Sequence, residues 1–378
     1  MSMRPIPSAV SLAALVALPA AAILGMSGTV AAGGGGYTAR VIASGASFHH
    51  TVGSGTEGLS DPDDIAYMGG EVFVAFQNGV GSQGQPSSTG NLDSTIVELS
   101  RSGALIDQWD VIGKVDGMSA DPDHGRLIAT VNEDGSSSIY TVKPSAGVIT
   151  HFTYSEALPH DGGTDAISVY RDQVLVSASA PGTTGSPTNP PAIYRVVLDA
   201  GTGIATVVPL FGDGATARVA NRGTGSYGST VTLALTDPDS NEVVPWSAPR
   251  FEGDFELDSQ GDQELIFSSD PGSASPSLWV LSLTQSIDDT GWATDRDATL
   301  YVTDSANNTI DTVRGPFTTG QPLVAVTPCD ADSAPPSCTT PNWLGFLDLS
   351  TGNITPVPLS TGTLQPHGMT FGPGDDAS

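Results

Sequence analysis

After about residue 36 the chain consists of short apolar runs that alternate with turn-forming residues. Runs such as 72–76 and 127–131 are rich in Val, Ile, Leu and Phe, and Gly, Pro, Asn or Asp punctuates the sequence between runs. No long apolar stripe with the 3.6-residue period of a helix is present in this part of the sequence. Short β-branched and aromatic runs between turn signals are typical of strands. The pattern therefore predicts an all-β protein.

The runs recur as a repeated unit. Each unit opens with a small polar motif that ends in an apolar residue, and a turn and a second apolar run follow. The distance from the opening to the second run stays near 9 to 11 residues in the first five units. The openings begin at Asp63, Asp116, Asp165, Asp254, Asp289 and His367. Third and fourth runs, such as 94–99 and 105–109, predict that each unit is a four-stranded antiparallel meander.

Four-stranded units that repeat about every 40–50 residues are the pattern of a β-propeller. One meander cannot bury both of its faces, whereas units stacked around an axis bury each other. The opening motifs predict six blades, with seven or eight as the alternative because two of the gaps are long. Residues 56–378 are assigned to the propeller, and residues 33–55 to a Gly-rich leader and a strand that closes the ring.

Two segments resemble known propeller repeats. Residues 300–310, Leu-Tyr-Val-Thr-Asp-Ser-Ala-Asn-Asn-Thr-Ile, resemble the strand-turn-strand core of NHL and YVTN repeats. Residues 59–67, Leu-Ser-Asp-Pro-Asp-Asp-Ile-Ala-Tyr, resemble the start of an NHL blade. The resemblance implies a propeller related to the SMP-30-like superfamily, which includes scaffolds, ligand binders, lyases and lactonases. It implies the fold and leaves the chemistry open.

The net charge of the chain limits the kinds of molecule that it can be expected to bind. The 378 residues include 41 Asp and Glu but only 13 Lys and Arg, which gives a formal net charge of −28. Such a surface repels the phosphate backbone of nucleic acids and the head groups of anionic membranes. We therefore expect no nucleic-acid partner. The expected partner is a small-molecule or protein ligand on one face of a monomeric propeller.

The N-terminus is typical of an export signal. Arg4 precedes an apolar stretch, 9–24, and the small residues 28–32 follow it. This order matches the charged, apolar and cleavage regions of a signal peptide, so residues 1–32 are assigned to one and the protein is expected to be secreted. The alternative is that the stretch stays as an N-terminal membrane anchor, although it is short for a full span.

The chain has two cysteines, Cys329 and Cys338. In an oxidising compartment this pair is expected to close a local disulfide loop. Binding of a metal by these thiols would need further Cys or His residues nearby in the sequence.

The opening aspartates carry the sharpest prediction about a site. In a propeller the first strand of each blade lines the central channel, so these residues are expected to converge near one rim. Clustered carboxylates repel each other unless a cation neutralises them, and Ca²⁺ favours oxygen ligands. The predicted ligands of a channel Ca²⁺ site are Asp63, Asp116, Asp165, Asp254 and Asp289. The alternative is that each aspartate only caps its own turn.

Catalytic residues are less well marked than the acidic openings. The resemblance to calcium-dependent lactonases gives Asp289 a candidate role, and lyase-like propellers use a histidine as general base. His160 and His367 lie at or beside opening motifs and are the candidates for that role. The Asp-Pro-Asp-Ser-Asn-Glu segment, 237–242, has the composition of Ca²⁺ ligands but lacks the spacing and the Gly of an EF-hand. It is interpreted as a turn inside a long loop that covers one face.

Two functional hypotheses follow from these features. The first is a secreted propeller that binds or scaffolds a ligand, with a Ca²⁺-type cation in the channel. The second is a calcium-dependent lactonase or esterase of the SMP-30-like kind that acts at the channel mouth.

Overall fold

The structure is a computed structural model that describes residues 36–158, 163–181 and 189–374. Its regular elements in these ranges are 28 strands and three one-turn 3₁₀ helices, Gly45–Ser47, Pro122–His124 and Pro144–Ala146. The prediction of an all-β protein is confirmed. The predicted signal peptide, residues 1–32, and His160 lie outside the described residues.

Most strands form four-stranded antiparallel series, each beginning at a strand on the axis of the molecule. The first three series are β4–β7 (Pro62–Met68, Glu71–Phe76, Asp93–Leu99, Leu105–Ile112), β8–β11 (Val115–Asp121, Arg126–Val131, Ser138–Lys143, Val148–Tyr154) and β12–β15 (Ile167–Tyr170, Gln173–Ser177, Pro191–Asp199, Ile204–Gly212).

Three further series complete the described part of the fold. They are β18–β21 (Pro238–Val243, Phe255–Ser259, Glu264–Ser268, Leu278–Ser282), β22-β25-β26-β27 (Ile287–Trp292, Pro322–Val326, Trp343–Leu347, Ile354–Pro356) and β28-β23-β24-β1 (Met369–Gly372, Thr299–Asp304, Thr309–Arg314, Thr38–Ser44). Strands β16 (Thr216–Val219) and β17 (Thr230–Thr232) extend the outer edge of the fourth series through β21.

The first strands of the series contact one another in a closed cycle. The order of contacts is β4, β8, β12, β18, β22, β28 and back to β4. Apolar faces of adjacent sheets meet between them: Phe73 and Trp109 of the first series share a buried cluster with Leu127 and Tyr140 of the second. Burial of each sheet against its neighbours is the physical basis of a propeller. The prediction of a β-propeller of four-stranded antiparallel blades is therefore confirmed.

One sheet contains both ends of the described chain. Strand β1 pairs with β24 on the outer side, and β28 pairs with β23 on the inner side. Residues 49–52 do not join this sheet. They form β2 (His49–Val52) and pair instead with β3 (Gly55–Gly58) in a separate hairpin. Within the predicted leader and closing segment, 33–55, the strand that joins this sheet is thus β1.

The fourth unit begins earlier than the sequence pattern indicates. Its axial strand is β18, and Asp254 precedes the second strand, β19. The segment 237–242, interpreted as a turn, instead forms most of the axial strand. The error has a physical cause. Strand β18 is polar because it lines the cavity, whereas β19 is fully buried and resembles the start of a blade.

The last two series are interleaved along the chain. Strand β22 does not pair with the next strand, β23, as a simple meander would require; it pairs with β25. Strands β23 and β24 belong to the sheet of β28. The prediction that each unit is a continuous meander is therefore wrong for these two units. Alternating apolar residues mark a strand, but the partner of that strand is decided in space.

Two features bear on the compartment. Cys329 and Cys338 form the predicted disulfide, with their Cα atoms 5.4 Å apart. A disulfide is compatible with an extracellular protein. No helix among the described residues is long and apolar enough to cross a membrane.

Candidate functional site

A cavity of about 390 Å³ lies where the axial strands begin. One residue from each of the six axial segments contributes to its wall, and together we call them the axial ring. The axial ring consists of Asp63, Asp116, Asp165, Asp239, Asp288 and His367. Five acids and one histidine thus converge from segments that are far apart in the sequence.

β-Bulges place four of the ring aspartates. The pairing register of β4 shifts between Pro62 and Ile65, and that of β8 shifts between Val115 and Gly117. Corresponding shifts occur between Pro238 and Ser240 in β18 and between Ile287 and Thr290 in β22. A bulge leaves a residue unpaired and redirects its side chain. This local irregularity brings one aspartate per strand to the cavity.

The structure brings most of the residues predicted from the sequence to this cavity. Asp63, Asp116, Asp165 and His367 are members of the axial ring, and Asp289 lies one residue beyond ring member Asp288 and also lines the wall. The predicted ligand Asp254 is not among the lining residues. Its place in the ring is taken by Asp239.

The register of β18 with β19 explains the position of Asp254. Pro238 pairs with Ser259 at the cavity end, whereas Val243 pairs with Phe255 at the other end. Asp254 directly precedes Phe255, so it lies at the far end of these strands. There its pKa is raised to about 6 by burial and by Glu252. It cannot share a ligand in the cavity with Asp239.

The cavity wall is strongly acidic. Ten of its residues are Asp or Glu, and the two basic residues are Lys114 and His367. The Lys114 ammonium is already paired, because its Nζ lies 2.8 Å from Oδ1 of Asp116 and 2.5 Å from Oε1 of Glu133. These carboxylates raise the pKa of Lys114 despite its burial. The remaining carboxylates outnumber the basic groups of the wall.

Two glutamine amides support the carboxylates of the axial ring. Nε2 of Gln77 donates to Oδ2 of Asp63 at 2.8 Å and to Oδ1 of Asp116 at 3.4 Å. Nε2 of Gln260 donates to Oδ1 of Asp288 at 3.3 Å. Each glutamine directly follows the second strand of its series. These amides hold the ring side chains in place without neutralising their charge.

Burial and mutual repulsion raise the pKa values of four aspartates of the axial ring. Burial raises the pKa of Asp63 to about 7, with a further increase from Asp288. Burial also raises the pKa of Asp116, Asp165 and Asp239 well above the ordinary value, and neighbouring carboxylates add to each shift. Without a cation this cavity therefore holds protons at neutral pH that isolated carboxyls would release.

His367 is held between two carboxylates. Its Nδ1 lies 3.6 Å from Oδ1 of Asp288 and 4.0 Å from Oδ1 of Asp63. Although burial lowers it, these acids raise the pKa of His367 to about 9. Its Nε2 lies 3.2 Å from Nδ2 of Asn342. Because the flanking carboxylates favour the protonated imidazolium, His367 is better suited to hold charge in the wall than to act as a general base.

A second layer of polar groups lies beside the axial ring. Asp289 Oδ2 accepts a hydrogen bond from the backbone N–H of Met369 at 2.5 Å, and Asp64 Oδ2 accepts one from the N–H of Met118. Each bond links neighbouring axial strands. The third group is Asn241, which is 5% exposed and lines the cavity, and neither of its side-chain polar atoms has a hydrogen-bond partner among the described residues. A buried amide without a partner is costly, and a ligand in the cavity would satisfy it.

The donor chemistry of the cavity wall suits Ca²⁺, and the predicted Ca²⁺ site stays a prediction. Carboxylates and an amide oxygen are the right donors for a hard cation. However, within the described ranges no three His, Cys, Asp or Glu side chains are grouped so that they could hold a metal ion. The carboxylates surround a volume larger than one ion. The fit is better for a positively charged group that spans the cavity.

Several site residues are absent from the sequence-based prediction. They are Asp239, Asp288, Asp64, Glu242, Lys114, Glu133 and Asn241. One signal was available: Asp61-Pro62-Asp63 at the first axial strand recurs as Asp237-Pro238-Asp239 at the fourth. Lys114 and Glu133 had no such signal, because they belong to the segments flanking β8 and β9 and reach the cavity only through folding.

Comparison with known proteins identifies no family for this chain. No family model matches the chain, and no curated protein matches it. Among solved structures, the chain is similar to the periplasmic gluconolactonase of Pseudomonas aeruginosa, with 12% identity over 89% of this chain and 98% of that one and a TM-score of 0.45.

A putative 6-phosphogluconolactonase from Bacteroides uniformis has 11% identity over 84% of this chain and 91% of that one, with a TM-score of 0.45. A protein of unknown function from Bacteroides caccae has 10% identity over 85% and 89%, with a TM-score of 0.44. Likeness at this level carries no information about function.

Proposed function

We propose that this protein is a binding propeller for a small organic cation, held in the cavity at the start of the axial strands. The observation that carries the proposal is the axial ring, in which five aspartates from five different series face one volume. A ligand with ammonium or guanidinium groups would replace the protons that the raised pKa values of Asp63 and its neighbours hold there. This develops the first of the two sequence hypotheses.

The nature of the wall favours hydrogen-bonding cations over quaternary ones. Quaternary ammonium groups are recognised by aromatic faces. The wall has no Phe, Tyr or Trp among the described residues, and it offers carboxylates, amides and one unpartnered asparagine. Primary amines and guanidinium groups donate several charge-assisted hydrogen bonds, which this wall can accept. A diamine or polyamine of modest length fits a volume of about 390 Å³.

The experiment is a calorimetric titration of the full chain with spermidine and with cadaverine, and with 1,5-pentanediol as the neutral counterpart of cadaverine. Binding should release protons, since the cation displaces them from the ring, so the observed heat should depend on the ionisation enthalpy of the buffer. Asp165→Asn with Asp239→Asn should abolish binding. The matched control is Asp123→Asn, which removes one exposed carboxylate outside the cavity.

Three results would contradict the proposal. The first is an absence of saturable heat with either amine. The second is equal binding of pentanediol, because the neutral diol cannot pair with carboxylates. The third is unchanged affinity in the double variant when its thermal unfolding shows that it is folded.

The alternative is a calcium-dependent lactonase or esterase of the SMP-30-like kind. It shares the acidic cavity, but it requires a metal held by several protein ligands and a base that activates water. The donor set of the axial ring supports it, and the lack of three grouped ligands in the described residues weighs against it. Hydrolysis of a lactone that depends on Ca²⁺ and disappears in Asp239→Asn would favour this alternative over amine binding.

A further inference from the structure

A second cavity lies at the opposite ends of the strands. It has a volume of about 380 Å³ and lies between the fourth and fifth series. Pro322, which pairs with Trp292 at the end of β22, lines it, whereas the acidic cavity lies at the beginning of β22. The two cavities are thus on opposite faces and share no lining residue.

Two arginines line this second cavity. Arg222 and Arg250 are close enough that the charge of Arg222 contributes, after burial, to a lowered pKa of Arg250. The chain contains 13 basic and 41 acidic residues, so a pair of neighbouring arginines is unusual for its composition. Two like charges side by side repel each other, and an anion between them relieves the repulsion.

Arg250 is fixed in position. Its Nη1 donates to the carbonyl of Leu349 at 2.6 Å and its Nη2 donates to the carbonyl of Ala220 at 2.8 Å. Its guanidinium lies 4.3 Å from the ring centroid of Phe251. These contacts with neutral groups orient the guanidinium but do not neutralise it. Arg250 therefore presents a pre-organised positive charge to the cavity.

Arg222 is available for a ligand. It is exposed, and its guanidinium makes no ion pair with the carboxylates that the structure describes. The acid nearest to this pair on the wall is Asp348, which also raises the pKa of Arg250. Its Oδ1 accepts from the N–H of Ser350 and its Oδ2 from the hydroxyl of Thr351, both at 2.8 Å. Asp348 is thus engaged within its own turn.

The rest of the wall includes an apolar side. It is formed by Pro249, Pro322, Leu347 and Leu349. A volume of about 380 Å³ with both a charged and an apolar side is typical of a site for a small organic molecule, and it is larger than a bare inorganic ion needs. The two arginines indicate a ligand with negative charge, and the apolar side indicates that the ligand also has an apolar part.

We propose that the second cavity binds a small organic anion. Its carboxylate or phosphate group pairs with Arg222 and Arg250, and its apolar body lies against the leucines and prolines of the wall. The guanidinium fork suits planar or tetrahedral oxyanions, to which it donates paired hydrogen bonds. This site is independent of the cation cavity and does not rest on the function proposed for it.

The test is a calorimetric titration of the full chain with benzoate and phenyl phosphate at fixed ionic strength. Benzyl alcohol serves as the neutral counterpart and inorganic sulfate as the anion without a body. Arg222→Gln should weaken benzoate binding by about tenfold or more, the loss expected for charge-assisted hydrogen bonds. Arg296→Gln makes the same change at an exposed arginine outside the cavity and should leave affinity unchanged.

Each of the other outcomes would overturn the proposal. If neither benzoate nor phenyl phosphate binds saturably, the second cavity is not an anion site. Equal binding of benzyl alcohol would exclude the role of charge, and equal binding of sulfate would exclude the role of the apolar wall. Unchanged affinity for benzoate in Arg222→Gln would exclude a role for the arginine pair. Arg222 is exposed, so this variant should fold, and its thermal unfolding curve verifies that.

Discussion

The carboxylate of Asp289 accepts a hydrogen bond at 2.5 Å from the backbone N–H of Met369, a residue 80 positions later in the sequence and on the neighbouring axial strand. Its other oxygen accepts from the N–H of Thr290 at 2.7 Å. Asp64 makes the corresponding link to Met118. In these two pairs of series, an aspartate links adjacent axial strands, and the residue before it, Asp288 or Asp63, is a member of the axial ring.

Substitutions at these two adjacent positions should therefore change the free energy of unfolding by different amounts. Asp289→Asn replaces one acceptor oxygen with an N–H₂ donor that faces a backbone donor, so we expect the free energy of unfolding to fall by about 1–3 kcal/mol. Asp288→Asn removes a ring carboxylate that has no backbone partner and contacts only the side chains of Gln260 and His367, so its effect on stability should be smaller. Denaturant unfolding measures both. Equal destabilisation of the two variants would contradict these separate roles.

The stability of the ligand-free protein should fall as pH rises. The folded-state pKa values of Asp63 and Asp289 are about 7, against 3.8 for ordinary Asp, so the folded chain binds protons that the unfolded chain has released. His367 acts in the same direction at higher pH, because its pKa of about 9 lies above 6.5. The free energy of unfolding should therefore decrease between about pH 5 and about pH 8.

Four charged groups near Asp63 contribute to its pKa and therefore to the pH dependence of stability. They are Lys114, Asp288, His367 and Glu133. Asp63→Asn should reduce the slope, whereas the exposed Asp123→Asn should not. Urea unfolding at a series of pH values measures the slope. A flat or rising profile in the wild-type chain would show that the cavity carboxylates are not held protonated.

Calcium and the organic cation should be distinguishable by thermal unfolding. A ligand that binds only the folded state at a hundred times its Kd stabilises it by about 2.7 kcal/mol. At equal ionic strength we expect spermidine to raise the unfolding midpoint more than Ca²⁺, and EDTA to have no effect. A larger rise with Ca²⁺ that Asp165→Asn and Asp239→Asn abolish would instead support a metal site.

Close approach of two axial strands should make Gly368 intolerant of a side chain. A Cβ at this position would overlap the carbonyl oxygen of Asp63 and lie 2.9 Å from Cα of Asp64, and backbone atoms cannot move aside easily. Gly368→Ala should cost about 1–3 kcal/mol of unfolding free energy. Gly225→Ala is the matched control, because a Cβ there meets nothing within 4 Å. Similar effects of the two changes would contradict the close strand contact.

The disulfide should stabilise both the fold and the cavity. Cys329 and Cys338 are separated by nine positions, and a loop of this size contributes about 2–3 kcal/mol in the chain-entropy model. Asp330, inside the loop, lines the acidic cavity. Replacement of both cysteines by serine should therefore lower the unfolding midpoint and weaken amine binding. Unchanged amine affinity would show that the cavity does not depend on the loop.

The sequence by itself determined the strands and the presence of acidic openings. Short apolar runs bounded by turn-forming residues are typical of buried strands, so runs such as 72–76 could be recognised without a structure. The residues at Asp63, Asp116, Asp165 and His367 could be placed at the cavity because each precedes such a run. These predictions use only the order of apolar and polar residues along a short segment, because that order determines whether the segment forms a strand.

Only the tertiary structure decided which strands pair and which acids meet. The partner of β22 is β25, which lies across an excursion of two strands, and no local pattern encodes that choice. The sequence pattern marks Asp254 as the opening of a unit and Asp239 as part of a turn, but the register of β18 with β19 places Asp239 at the cavity and Asp254 at the opposite end. The raised pKa values of the ring likewise arise from burial and from carboxylates on other sheets, which come together only when the chain closes into a propeller.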